Sequence, residues 1–104
     1  MSNIRVRINA NAISEIESIL ERRFERVGQF VENKAKENMQ GHNKSGILRA
    51  SIHHEADKDG TVIGTNVEYA IPFHEGHGSF SGVPFLRDAV YGNISEINNL
   101  LGGN

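Results

Sequence analysis

Hydrophobic positions along the chain change period near its start, and each period predicts an element. Ile4, Val6 and Ile8 alternate with Arg5, Arg7 and Asn9, the pattern of a strand with one buried and one wet face. From Ile13 the step becomes three and four. Ile13, Ile16, Leu20, Phe24, Val27, Val31, Ala35 and Met39 lay one apolar stripe along a helix of about 25 residues. Ser14 stands three residues before Glu17, as a capping box requires, and Asn11 could equally cap a helix beginning at Ala12. Gly28 weakens the helix by roughly 1 kcal/mol relative to Ala, which either a slight bend or a close helix contact would explain. Gly41, lacking a Cβ, suits the left-handed residue that closes a helix.

After a polar loop over 40–46, Ser45 could cap a short turn through Leu48 and Arg49, and Ser51 to Ala56 reads as extended. Asp57-Lys58-Asp59-Gly60 is a hairpin signal, because an Asp-Gly pair tolerates the positive φ of a tight turn; Thr61 to Asn66 is then the returning strand. Glu68 to Glu75 is ambiguous between a short helix and irregular structure, since Pro72 is acceptable only in a first turn. The Gly- and Ser-rich segment Gly76 to Gly82 reads as a mobile loop. Pro84 opens a last helix whose apolar face is Phe85, Leu86, Ala89, Val90, Ile94, Ile97 and Leu101, closed by Gly102-Gly103. The expected fold is α+β: a long N-terminal helix and a C-terminal helix packed on a small, mainly antiparallel sheet, with residues 1–104 as a single domain.

Composition narrows what such a domain can do. A chain of 104 residues can bury roughly 60–65% of its unfolded surface and fold without staples. With 38% hydrophobic and 7% aromatic residues the core must be aliphatic and thin, which suits a subunit that gains stability from neighbours. The absence of cysteine removes disulfides, thiolate metal sites and cysteine nucleophiles together, and fits a reducing compartment. Eleven Lys+Arg against thirteen Asp+Glu give a net charge of −2, which disfavours binding by phosphate neutralisation and leaves only a local basic patch open. No stretch approaches the ~20 apolar residues of a membrane span, and residues 1–30 hold no apolar run of signal-peptide length, so a soluble protein is expected.

Candidate chemistry centres on histidine: His53 and His54 in a strand, and His74 with His77 around Glu75. A zinc hydrolase helix needs two histidines at i and i+4 with the base Glu between them; here the spacing is one short, and Gly76 breaks the helix. Ser45, Ser51, Ser79 and Ser81 lack a nucleophile-elbow context, and Gly76-x-Gly78 is too short for a phosphate-binding fingerprint. No catalytic, metal or cofactor-binding residue is assigned, and no cofactor is expected. The alternative kept open is a small zinc-binding hydrolase or regulatory module using the histidine-rich hairpin and loop. Arg22, Arg23, Arg26, Lys34 and Lys36 are interleaved with Glu21, Glu25 and Glu32, as on a solvated face held by pairs three or four apart; contact with DNA or an acidic partner is the other reading. Tyr69 and Phe73, four apart, could together cover a sheet edge, and Gly76 permits the reversal that follows.

Four short motifs occur in order: Gly46-x-Leu48-x-x-Ser51-Ile52, then Gly64-Thr65-Asn66-Val67-Glu68-Tyr69-Ala70, then Phe73-His74-Glu75-Gly76-His77-Gly78, then Pro84-Phe85-Leu86-Arg87-Asp88-Ala89. This succession, with the helix before it, resembles the tailed-phage neck and tail-completion family typified by gene product ten of coliphage HK-97, and more distantly lambda's minor tail protein Z. The resemblance spans about Ile13 to Val90. His74, His77 and Asp88, which stands where a second proline is common, depart from the pattern. The resemblance implies a non-catalytic virion structural or assembly protein of a phage or prophage. It would act at the head-tail junction or the head-proximal end of the tail, after assembly in the bacterial cytoplasm. Its implied working state is a homo-oligomeric ring of roughly sixfold symmetry, joined to other neck and tail proteins, with non-specific DNA passage through the lumen left open; a monomer that assembles on a preformed partner is the other reading. Interface candidates are Phe80, Phe73, Tyr69, His74, His77, Arg22 and Arg26, with Phe80 as the anchor because an aromatic between glycines seeks a pocket.

Overall fold

The computed structural model describes residues 9–41 and 46–102, so the strand expected at Ile4 to Ile8, the cap expected at Ser45 and the stop at Gly103 lie outside the described residues. A single helix, α1, runs Ala10–Glu37, 28 residues or about 42 Å. Its cap is neither Ser14 nor Asn11: the Asn9 side chain accepts from the Ala12 amide at 2.9 Å, satisfying an N–H of the first turn. The helix closes earlier than expected, at Asn38, whose amide donates to the Lys34 carbonyl, so Gly41 is not its closing residue; it takes the left-handed φ of +88° three residues further on.

Gly28 is explained by a close contact. A Cβ there would meet His54 Cδ2 and Thr61 Oγ1, both at 2.5 Å, because a β-hairpin lies directly on this part of α1. Its strands are β1, His53–Asp57, and β2, Gly60–Gly64, antiparallel with His53 opposite Gly64 and Asp57 opposite Gly60. His54, Ala56, Thr61 and Ile63 are half-buried, whereas His53, Glu55 and Val62 face solvent. The turn forms by a different device from the one expected. Gly60 does not adopt positive φ, nor does any described non-glycine residue; instead Asp57 Oδ1 accepts from the amides of Asp59 (2.8 Å) and Gly60 (3.2 Å).

The short helix α2, Gly46–Ser51, precedes the hairpin and buries Leu48. The ambiguous stretch resolves as α3, Ala70–Glu75, with Pro72 in its first turn where a missing N–H costs nothing. The expected single last helix is two: α4, Phe85–Tyr91, and α5, Ile94–Leu100. The chain breaks at Gly92-Asn93, where Asn93 leaves helical geometry (φ −135°) and its Nδ2 donates to the Ala89 carbonyl at 2.9 Å, competing with the helix ladder. Both halves pack on α1, α4 more extensively. The α+β class therefore holds, with a two-stranded sheet among the described residues.

The core gathers where all these elements meet the C-terminal half of α1. Val27, Val31, Ala35 and Met39 come from α1 and its end, Leu48 and Ile52 from α2 and the residue after it, Ala70 from α3, and Phe85 and Ala89 from α4. From Ala10 to Arg26 no residue of α1 is buried. No helix among the described residues is long and apolar enough to cross a membrane.

Candidate functional site

The motif residues of the second half converge on one corner, built by α3, the loop after it and the start of α4. Phe73 is its centre, with ring centroids 6.0 Å from both Phe80 and Phe85. Its amide donates to the Tyr69 carbonyl at 3.1 Å, and its own carbonyl accepts from Val83 at 2.8 Å. Tyr69, just before α3, is itself exposed.

The Gly76 to Gly82 loop is tied to itself. His77 and Phe80 exchange backbone hydrogen bonds of 2.9 and 2.8 Å, and Gly76, Gly78 and Gly82 all take positive φ. A Cβ on Gly76 would come within 2.6 Å of the Phe80 carbonyl oxygen, and one on Gly82 within 2.6 Å of the Gly76 nitrogen. These glycines let two backbone segments touch. Phe80 is 38% exposed, and the rest of its ring packs on Phe73 and on His77, 5.7 Å away. An internal packing role for Phe80 was not legible in the sequence, because one of its two ring partners, Phe73, comes from outside the loop.

His74 and His77 do not form a pair. His77 packs at a tilt of 56° against Phe80, whereas His74 lies edge-on to Phe85 at 5.1 Å. His74 Nδ1–H donates to Glu75 Oε1 at 2.6 Å, and its Nε2 accepts from the Arg87 amide at 3.3 Å, so both ring nitrogens are engaged. Arg87 Nη2 donates to both Glu75 oxygens, at 2.7 and 2.9 Å. The Arg87 bond, followed by that from His74, holds the Glu75 carboxyl below its ordinary range. Beside this cluster a groove of about 510 Å³ opens, floored by Val67, Ala70, Phe85 and Leu86, with Ile71 exposed at its rim.

A second polar cluster joins α1 to the hairpin. His54 is only 9% exposed and lies between two carboxylates one α1 face supplies: Nδ1–H donates to Glu32 Oε1 at 2.9 Å, and Nε2–H to Glu25 Oε1 at 2.7 Å. Lys36 Nζ completes the set at 3.1 Å from Glu32. Burial pushes the His54 imidazolium toward losing its proton, but the bonds from Glu25 and Glu32 outweigh it and raise the pKa. Burial likewise works to raise Glu32, and its bonds from His54 and Lys36 bring it down. The signal in the sequence was Glu25 and Glu32 seven residues apart around Gly28, a face with a gap for a ring.

The arginines of α1 depart from the expectation of local pairing. Lys34 with Glu37 and Lys36 with Glu32 do pair along the helix. Arg23 instead donates to the Leu101 carbonyl at 3.3 Å, and Arg22 and Arg26 make no ion pair among the described residues. Among those residues no three His, Asp or Glu side chains are grouped to hold a metal ion. No family model, curated protein or solved structure matches the chain.

Proposed function

We propose that this protein is a structural subunit of a tailed phage or prophage, acting at the head-tail junction or the head-proximal end of the tail as a ring or as part of one. The observation that carries the reading is the order of the four motifs from Gly46 to Ala89 behind a long amphipathic helix. The physical role of each motif supports it. Leu48 and Ile52 anchor α2 in the core, Ala70 and Phe73 seat α3, Gly76 and Gly82 close the loop, and Phe85 inserts at the head of α4. They act as packing joints, the work of a scaffold that presents surfaces to neighbours. A bare apolar stripe on the first half of α1 is a surface of that kind.

The test is deletion of the gene from the phage or prophage that carries it, with particles inspected by negative-stain electron microscopy. DNA-filled heads and free tails that fail to join, restored by supplying the protein in trans, are the expected outcome. Intact infectious virions made without it overturn the reading.

A further inference from the structure

We propose that the projecting half of α1 is a self-association edge on which the acidic side of one copy meets the basic side of the next. Ile13, Ile16, Ile19 and Leu20 are 47%, 52%, 39% and 36% exposed there, an apolar stripe left partly open to solvent, with Arg23 at its C-terminal end bonded to the Leu101 carbonyl. The two borders of the stripe carry opposite charge. Glu17 and Glu21, one turn apart, border it on the hairpin side, where they share a small cavity with Asp57, Lys58 and Asp59. Arg22 and Arg26, also one turn apart, stand beyond Ile19 on the other border, with Glu15 as the carboxylate among them. None of Glu17, Glu21, Arg22 and Arg26 forms an ion pair among the described residues.

This polarity selects the geometry of a contact. A two-fold pair with antiparallel helices sets each border against itself, Glu against Glu and Arg against Arg, which is unfavourable. Copies placed side by side with their helices pointing the same way set the acidic border of one against the basic border of the next and share the apolar stripe. A two-fold axis parallel to the helices makes this pairing between two copies, and the same pairing offset around such an axis repeats and can close into a ring. The contact rests on the proposed function only for that closure; two copies suffice to form it.

The test uses sedimentation velocity on the full chain and two variants, Glu17→Lys/Glu21→Lys and Arg22→Glu/Arg26→Glu, with far-UV circular dichroism confirming that each folds. The wild type should self-associate at low ionic strength and weaken as salt screens the borders. Each variant alone should lose about tenfold or more in association constant, since both its borders then carry one sign. An equimolar mixture of the two should regain it, because one copy is now basic on both sides and the other acidic. A wild type that stays monomeric at low salt, a variant that associates like the wild type, or a folded mixture that stays monomeric overturns the proposal. A ring that survives charge reversal overturns this contact and leaves the phage role standing. Virions maturing without the protein overturn that role and leave the contact standing.

Discussion

Replacing His54 by Gln, a side chain neutral at every pH, tests the link between α1 and the hairpin. His54 donates two charge-assisted hydrogen bonds, each worth about 1.5–3 kcal/mol where the partners are shielded. The bond to Glu25, 57% exposed, is screened and contributes well under about 1 kcal/mol. The bond to Glu32, 13% exposed, keeps more of its strength, though burying the imidazolium subtracts from it. Glu32 also keeps Lys36 as a partner after the substitution, so no carboxylate is stranded. The expected loss is about 1.5 kcal/mol near pH 6, or roughly 6–12 °C in Tm for a domain of this size.

The pH dependence has a definite sign. The folded-state pKa of His54 lies above its ordinary 6.5, so its contribution is fully present below pH 6.5 and lost as pH rises through the folded value. Glu32, lowered from 4.5, works oppositely: its contribution is present above pH 4.5 and lost on acidification. Thermal melts followed by far-UV circular dichroism between pH 5.5 and pH 9, about one unit below and more than two above that value, check this. The wild type should lose stability across the upper part of the range, and the gap to His54→Gln should shrink by roughly half or more. Parallel curves for the two proteins would refute the reasoning, because they would mean that the proton on His54 contributes nothing to the folded state.

Two glycine substitutions probe close approach. Gly28→Ala gains about 1 kcal/mol of helix propensity but forces a Cβ against His54 and Thr61, an overpacking cost of about 1–3 kcal/mol. The midpoint of urea unfolding should therefore fall, and a rise would show that the hairpin does not sit on the helix there. Gly82→Ala combines φ +87° with a Cβ 2.6 Å from backbone and should cost about 2 kcal/mol or more; Gly78→Ala, φ +55° in open space, should cost about 1 kcal/mol. Thermal melts giving the reverse order would contradict the tied loop.

Which parts of the fold were legible follows from the range of the forces involved. The stripe from Ile13 to Met39 wrote α1 into the sequence, because residues three and four apart share one face of a helix whether or not that face is covered. The hairpin is equally local, yet its turn differs from the Asp-Gly expectation: Asp57 at the start of Asp57-Lys58-Asp59-Gly60 closes it through its side chain, so the glycine need not supply positive φ. The break at Gly92-Asn93 is not legible in the apolar spacing, which continues across it from Phe85 to Leu101; there Gly92 caps the first helix and Asn93 leaves helical geometry and bonds back to Ala89. Asn9 reads as the end of a strand because it completes the alternating pattern before it, although its side chain caps α1.

At the candidate sites the limit is sharper. The motif order from Gly46 to Ala89 and the loop glycines stand in the sequence, but the convergence of Phe73, Phe80 and Phe85 depends on three separate segments. His54 read as one of two adjacent strand histidines, and nothing local distinguishes it from His53; one is clamped between carboxylates 22 and 29 residues away, the other faces solvent.

By itself the sequence determined the periods, and with them the helix and the hairpin, since these depend on neighbours within a few residues. The tertiary structure alone decided coverage. Val27, Val31 and Ala35 belong to the same stripe as Ile13, Ile16 and Leu20, and only the packing of α2, α3, α4 and the hairpin along half of α1 makes the first set a core and leaves the second a surface.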